Sequence, residues 1–384
     1  MHLSILAEYY ERVYVVVLFG LCLFYILKLS FSTESTVIDN KKKNIKFSTT
    51  QIGAFILTVI IIIFIGNRPS SPVFVDMNYY AYTYDNIYTG SLSLTSSDSR
   101  GEWLFSLFGN LCKLLGFSTT QYFISIASIY YGLMLFSCWM LMRRNLLVAV
   151  LFCFISLSCF AYGVNGMRNG MACSFAMMAI ALLNTNKWGK IFSILLMFIA
   201  FSLHRSTILP CFCAISALLF VKNTKWAIYF WGASILISLL VGNYVTEFFV
   251  NLGFDDRMES YANLDEEGNI MESTNVKSGF RVDFILYSIM PIIMAWYVTV
   301  KRNFKDLTYH VISITYILAN SFWIMVIRSE QSNRFAYLSW FLYPIVIAYP
   351  LLRMNLWNNQ DRKVALILFA YSGFTFFMSF VYYG

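Results

Sequence analysis

Residues 51–67 read QIGAFILTVIIIIFIGN, a run without a single charged side chain. Runs of this kind recur along the 384-residue chain and decide its fold. Hydrophobic residues make up 59% of the sequence and charged residues only 12%, against about 25% charged in soluble domains. A soluble fold of this length could not bury so much apolar surface, so lipid must act as the solvent. The composition therefore predicts an all-α polytopic integral membrane protein.

Long apolar stretches predict about twelve transmembrane helices, because about 20 apolar residues are needed to cross a bilayer. We expect these helices at residues 13–29, 51–67, 121–142, 145–162, 168–184, 188–204, 206–221, 226–249, 281–300, 308–328, 334–353 and 363–382. All of them belong to one polytopic membrane domain, residues 1–384. Two long outer loops lie between these predicted helices, at residues 68–120 and 251–280.

The placement of Lys and Arg residues predicts how these helices are oriented. When the loop that contains Lys41–Lys43 is placed in the cytoplasm, every inner loop is net basic and the outer side is net acidic. That distribution is what the positive-inside rule requires. It accounts for the net charge of +8 through membrane topology rather than nucleic-acid binding. Both termini then face outward.

One further helix is predicted inside the first outer loop, at residues 101–117. Its apolar side chains recur at helical spacing. They are Leu104, Leu107, Phe108, Leu111, Leu114 and Leu115. We expect this amphipathic helix to lie along the outer membrane–water interface rather than to cross the bilayer.

Arginines stand at the outer ends of several predicted helices. Arg168, Arg281 and Arg334 each mark the beginning of a span that runs inward. A helix N-terminus offers free N–H groups and the positive end of a dipole, and a guanidinium adds a forked donor suited to phosphate. Three such ends around one cavity would form a pyrophosphate cradle. The alternative is that each Arg extends to the lipid head groups. Arg205 and Arg328 are weaker candidates of the same kind.

His204 lies in the sequence SLHRST, at the outer turn between the sixth and seventh predicted spans. A His at an outer cavity can accept a proton from a sugar hydroxyl near neutral pH. Its structural alternative is to cap the carbonyls of the sixth helix. The polar residues that follow it favour the functional interpretation.

Three residues of the first outer loop and one of the ninth span complete the candidate set. Asp76 and Glu102 can bind acceptor hydroxyls or act as bases, or they can stabilise a turn and a helix start. Tyr80 can stack on a sugar ring or belong to an aromatic belt. Asp283, two residues after Arg281, can orient an arginine.

Several function classes lack the residues they need. No charged residue lies near the middle of a predicted span, which weighs against an ion-coupled transporter. The acidic residues of the loop 251–280 have no ordered ligand spacing, so solvation explains them better than a metal does. The sequence therefore predicts no metal and no cofactor.

The candidate residues resemble the EpsG-like, Wzy-type polymerases of bacterial O-antigen, capsule and exopolysaccharide pathways. The similarity extends from about the second predicted span to the eleventh. It is carried by short elements in a fixed order. These are Asp76 with Tyr80, Glu102–Phe105, Gly166–Ala172, Leu203–Ser206, Arg281 and Asn333–Tyr337.

The resemblance implies a GT-C-like glycosyltransferase whose active site faces outward from the bacterial inner membrane. The donor would be a growing glycan on undecaprenyl pyrophosphate, and the acceptor one new lipid-linked repeat unit. Membrane lipid and a chain-length regulator protein would be partners. His204 would act as base, with Asp76, Glu102 or Asp283 orienting it or substituting for it. The residues expected to contact pyrophosphate or glycan are Arg168, Arg205, Arg281, Asp283, Arg328, Arg334, Tyr80 and Tyr337.

Other classes stay open at this point. An O-antigen ligase would use outer Arg and His residues on the same donor, although it commonly has a larger outer loop. A flippase for lipid-linked sugars would carry charges deep in an internal cavity. A structural subunit would leave the arginines at the helix N-termini unexplained.

Overall fold

A computed structural model describes residues 7–31, 49–92, 102–251, 280–329 and 332–382 of the chain. Within these ranges all regular structure is helical and no strand occurs, as the composition predicts. Lys41–Lys43 and most of the outer loop 251–280 lie outside the described residues, as does Gly101 at the start of the predicted amphipathic helix.

Sixteen α-helices follow one another along the described residues. In chain order they are α1 (Tyr10–Ser30), α2 (Thr49–Gly66), α3 (Val75–Tyr82), α4 (Trp103–Leu114), α5 (Thr119–Met142), α6 (Leu146–Phe154), α7 (Cys159–Val164), α8 (Met167–Leu183), α9 (Lys187–Leu203), α10 (Ile208–Leu219), α11 (Thr224–Asn251), α12 (Val282–Trp296), α13 (Leu307–Met325), α14 (Asn333–Trp340), α15 (Tyr343–Arg353) and α16 (Gln360–Phe377). They form two compact units. Unit 1 comprises Met1–His204 with Ala348–Gly384, and unit 2 comprises Arg205–Ile347.

Seven helical segments of the described residues are long and apolar enough to cross a membrane. They are Tyr10–Ser30, Thr49–Gly66, Thr119–Phe154, Thr224–Phe248, Val282–Lys301, Asn333–Arg353 and Gln360–Tyr382. Met167–Leu183 and Arg205–Leu219 are apolar but shorter. The structure therefore supports a polytopic membrane protein, while the predicted count of twelve spans is not confirmed.

Two predicted spans are interrupted. The span expected at 145–162 forms α6 and α7, because the chain turns between Phe154 and Cys159. The span expected at 334–353 forms α14 and α15, separated by Phe341 and Leu342. Pro344 is the second residue of α15 and has no N–H with which to continue the backbone hydrogen bonds across this break.

Helix α4 forms where the sequence predicts an amphipathic helix. Phe105, Gly109 and Cys112, spaced four and three residues apart, are its buried face. Gly109 is needed there, because an added Cβ would lie 2.1 Å from the ring of Tyr88. Leu114, on the predicted apolar stripe, is exposed. The helix is thus packed against protein on one face, and its place at the membrane interface stays a prediction.

Helix α8 is the central helix of unit 1 and packs against both α5 and α9. Most of its residues are buried, and many of them are small, which lets neighbouring backbones approach closely. Gly170 shows how close this approach is. A Cβ added there would lie 2.4 Å from the backbone carbonyl oxygen of Tyr162. This packing fixes the start of α8, where one of the candidate arginines lies.

Helix α13 has the corresponding place in unit 2 and packs against α10, α11 and α14. Buried polar contacts tie these helices together. The indole N–H of Trp231 donates to Asn320 Oδ1 at 2.7 Å, and the Asn320 amide donates to Ser339 Oγ at 3.0 Å. Helix α11 departs from helical geometry at Val241. Unit 2 is therefore held by specific hydrogen bonds as well as by apolar packing.

Candidate active site

Glu102 lies between Arg168 and His204 in unit 1. One carboxylate oxygen forms an ion pair with Arg168 Nη1, and the other is 2.5 Å from His204 Nδ1. Glu102 and His204 are only 4% and 5% exposed, and the Arg168 side chain is 16% exposed. Three residues that are far apart in the sequence thus form one buried polar cluster.

The ends of three helices bring this cluster together. Glu102 immediately precedes α4, and its side chain makes no hydrogen bond to that helix's own N-terminus. Arg168 lies in the first turn of α8. His204 follows the last residue of α9, where its extended backbone donates an N–H bond to Ala200. Because α9 packs against both α4 and α8, the three ends meet.

The contacts within the cluster determine which nitrogen of His204 can act as a base. A carboxylate held by an arginine is ionised and can only accept hydrogen bonds. Nδ1 of His204 must therefore donate to Glu102, which leaves the basic lone pair of the neutral imidazole on Nε2. Glu102 in turn stabilises the imidazolium that forms when Nε2 takes up a proton. A carboxylate that orients a His in this way is a recurring arrangement in general-base catalysis.

Aromatic residues extend the cluster towards α3. The Arg168 guanidinium lies 5.9 Å from the centre of the Phe105 ring. The ring of Tyr80 meets Phe105 edge-on, with ring centres 5.6 Å apart. Asp76 lies one helical turn before Tyr80 on α3, so both side chains occupy the same face of that helix. Tyr80 therefore adjoins the candidate site through Phe105.

Arg68 is a further cation in this region, which the sequence interpretation did not single out. It is 4% exposed, and no described carboxylate forms an ion pair with it. Its guanidinium donates to the carbonyls of Ile65 at 2.7 Å and Val164 at 3.4 Å, near the C-terminal ends of α2 and α7. It also lies over the ring of Phe123, 4.5 Å from the centre.

These contacts hold the start of α8 in place. Arg68 Nη2 is 2.8 Å from the sulfur of Met167, the residue directly before Arg168. Helix C-termini favour a cation, which partly offsets the loss of solvation. Burial nevertheless lowers the pKa of Arg68 to about 10, so the folded protein bears a cost of charge burial at any lower pH. The candidate arginines of the sequence lie at predicted helix N-termini, whereas Arg68 follows the C-terminal end of α2.

Unit 2 contains a second pair of candidate residues in contact. Arg281 Nε and Nη2 donate to the two carboxylate oxygens of Asp283, at 2.9 and 2.6 Å. The guanidinium also stacks on Phe284, 3.9 Å from the ring centre. Asp283 thus orients Arg281 at the start of α12, in the manner that the sequence spacing suggested.

The remaining candidates of unit 2 lie on other elements. Arg334 lies in the first turn of α14, and Arg205 begins a short 3₁₀ turn. Arg328 lies beside Gly242, where an added Cβ would be 3.3 Å from its Nε. Tyr337 is 1% exposed and packs near Phe341, which is a core position rather than an open glycan-binding surface.

The structure thus brings Glu102, Arg168 and His204 together, with Tyr80 nearby, and separately pairs Arg281 with Asp283. The pyrophosphate cradle of Arg168, Arg281 and Arg334 stays a prediction, because its first member belongs to unit 1 and the other two to unit 2.

Comparison with known proteins agrees with the resemblance seen in the motifs. No curated protein and no solved structure matches the chain, so the GT-C-like architecture also stays a prediction. Residues 52–384 match the EpsG family. This match covers most of the chain and includes every candidate site residue described above. The chain therefore belongs to the EpsG family, a family of Wzy-like polysaccharide polymerase-type membrane proteins.

Proposed function

We propose that this protein polymerises lipid-linked repeat units at the outer face of the bacterial inner membrane. The growing glycan is transferred en bloc from undecaprenyl pyrophosphate to a new repeat unit that is itself linked to undecaprenyl pyrophosphate. One observation carries the proposal: in a chain of the EpsG family, the buried Glu102 carboxylate is shared by Arg168 and His204. This arrangement supplies both a base for a hydroxyl and a cation for a leaving phosphate.

In the proposed step, a hydroxyl oxygen of the acceptor attacks the anomeric carbon of the donor sugar. The bond between that carbon and the pyrophosphate oxygen breaks, and undecaprenyl pyrophosphate leaves with its electron pair. His204 Nε2 takes the hydroxyl proton, and Glu102 stabilises the resulting imidazolium. The charge that develops on the leaving group is stabilised by arginine.

Arg168 is the arginine that we assign first to the pyrophosphate, because it shares Glu102 with the proposed base. Its guanidinium carries five N–H donors in a planar fork whose geometry suits phosphate oxygen atoms. Arg281 and Arg334 are assigned to the same leaving group from their positions at the starts of α12 and α14. Asp76 and Tyr80 are assigned to the acceptor glycan.

The function is tested with a gel of surface glycolipid from a strain that lacks the gene. We expect a single repeat unit in place of a ladder of lengths. Complete loss of repeat units from the surface would contradict polymerase activity and would indicate flipping or ligation instead.

The site is tested by complementing that strain with variants. His204→Gln and Glu102→Gln should each abolish the ladder at normal protein level, because loss of a general base typically slows a reaction by about 100-fold or more. Glu8→Gln is the matched control for Glu102→Gln, since Glu8 is an exposed acid of unit 1 that precedes α1. A full ladder from His204→Gln would refute the assignment of the base while leaving polymerase activity intact.

A further inference from the structure

Unit 2 contains a cavity of about 690 Å³ that includes no residue of the candidate active site. Its walls are formed by the segment that joins α10 to α11 and by the segment that joins α12 to α13. The volume lies in the range of about 300–1,000 Å³ that is usual for small-ligand sites. The cavity is therefore large enough for a ligand of its own.

The charges that line this cavity are mostly positive. Lys222 lies on the segment between α10 and α11, Lys225 lies in the first turn of α11, and Lys305 lies on the segment between α12 and α13. All three are exposed. Asp306 supplies a carboxylate, but its side chain accepts the backbone N–H of Tyr309 at 2.8 Å and so caps α13. The lining therefore attracts an anion.

The backbone around the cavity adds to this preference. Helices α11 and α13 both begin at its edge, so the positive ends of two helix dipoles lie beside the lysines. His310 Nε2 donates to the carbonyl of Val221 at 2.7 Å, which ties the segment between α10 and α11 to α13. Asn303 has a φ of 50°, a left-handed conformation that is uncommon outside glycine. Hydrogen bonding within unit 2 thus holds the walls of the cavity in place.

The rest of the lining is apolar. Leu218, Val221 and Val300 lie on the walls, and Phe304 and Leu307 are 40% and 48% exposed. An anion with an attached hydrocarbon part matches such a surface better than a fully hydrated ion does. The predicted orientation of the helices places this end of unit 2 at the cytoplasmic leaflet, where anionic lipids are concentrated and basic pockets between helices bind their head groups.

We propose that this cavity binds the phosphate head group of an anionic glycerophospholipid. The lysines contact the phosphate, and the apolar wall contacts the glycerol and the beginning of the acyl chains. The proposal does not depend on polymerase activity, since none of its residues belongs to the candidate active site.

The test is a binding titration of purified full-length protein in neutral detergent, followed by native mass spectrometry. Phosphatidylglycerol is the probe, with phosphatidylcholine and inorganic phosphate as comparisons. We expect saturable binding of phosphatidylglycerol, weaker binding of phosphatidylcholine, and no displacement by millimolar phosphate. The double variant Lys222→Gln/Lys225→Gln should bind phosphatidylglycerol about 30-fold more weakly, given the contribution of each lysine near an anionic head group.

A matched control comes from α9, which also begins with two exposed lysines three residues apart. Lys187→Gln/Lys190→Gln makes the same charge change in unit 1 and should alter binding by no more than about twofold. Lys305→Gln, from the opposite wall, should weaken binding as well and serves if the double variant does not fold. Equal weakening by the control pair would overturn the proposal in favour of general surface attraction. Displacement by inorganic phosphate would overturn it in favour of a soluble anion.

Discussion

At the scale of single residues, Arg68 shows how a buried charge can support a site without being part of it. Arg68→Met removes a cation that has no carboxylate partner among the described residues, so the thermal midpoint should stay the same or rise. The ladder of polysaccharide should nevertheless shorten, because Met167 and Arg168 lose an anchor. The measurement is thermal unfolding in detergent together with the glycolipid gel.

Arg68→Lys provides the control for charge. A lysine keeps the buried cation but lacks the fork that reaches Ile65 and Val164 together, so this variant should be less stable than Arg68→Met. If the methionine variant proved the less stable of the two, the charge on Arg68 would be a net contributor to folding, and the positioning role would lose its support.

The sequence named Glu102, Arg168 and His204 as candidate site residues but could not reveal their contact. Glu102 and His204 are separated by 102 positions along the chain, and their approach depends on how α4, α8 and α9 pack. The pairing of Arg281 with Asp283 could be predicted from the sequence. Two residues only two positions apart at the start of a helix have few possible relative geometries. Arg68 was not predicted, because a cation near a helix C-terminus is common and the sequence does not show that this one is buried.

At the scale of helices, the close contact between α7 and α8 makes a specific prediction. Gly170→Ala would place a Cβ 2.4 Å from the backbone oxygen of Tyr162, which cannot move aside as a flexible side chain can. We expect a loss of about 1–3 kcal/mol in the free energy of unfolding, as is typical of overpacked cores. Thermal or denaturant unfolding in detergent measures it.

Gly132→Ala is the comparison for this variant. Gly132 lies on α5, and no atom lies within 4 Å of the position its Cβ would occupy. Alanine favours a helix over glycine by up to about 1 kcal/mol, so this variant should be neutral or slightly more stable. Equal losses from both glycine variants would mean that the contact between α7 and α8 is not the cause.

The helices also show what apolar runs do and do not reveal. An uninterrupted run such as residues 51–67 predicted α2 closely, because nothing in it favours a turn. The run at 145–162 is equally apolar, yet its helix ends at Phe154 and another begins at Cys159. A run that is apolar on all sides has no periodic pattern that could mark where its helix ends. Pro344, by contrast, was a visible reason for a break in the run at 334–353.

At the scale of the whole molecule, the distribution of basic residues predicts which ends of the helices face the cytoplasm. A periplasm-active phosphatase inserted into the full chain after Ser70 should be active, and one inserted after Asn186 should be inactive. The reason is that Lys187 and Lys190 follow the second position, whereas α2 ends just before the first. Activities of whole cells, compared at equal fusion level, provide the measurement.

The reverse pattern of phosphatase activity would place the candidate active site in the cytoplasm. Lipid-linked repeat units would then be joined before they cross the membrane, and the proposed order of steps would be wrong. A cytoplasm-active fluorescent protein at the same two positions should give the opposite pattern, which guards against a fusion that merely fails to fold.

The contact between Glu102 and His204 has a consequence for how the protein is made. A ribosome adds about 5–20 residues per second, so His204 emerges roughly 5–20 s after the carboxylate that it will bind. During that interval α5 to α9 are synthesised, and Arg168 becomes available 66 residues after Glu102, before His204 does. The cluster of Glu102 and His204 can therefore form only after about half of the 384 residues have been synthesised, when the end of α9 arrives.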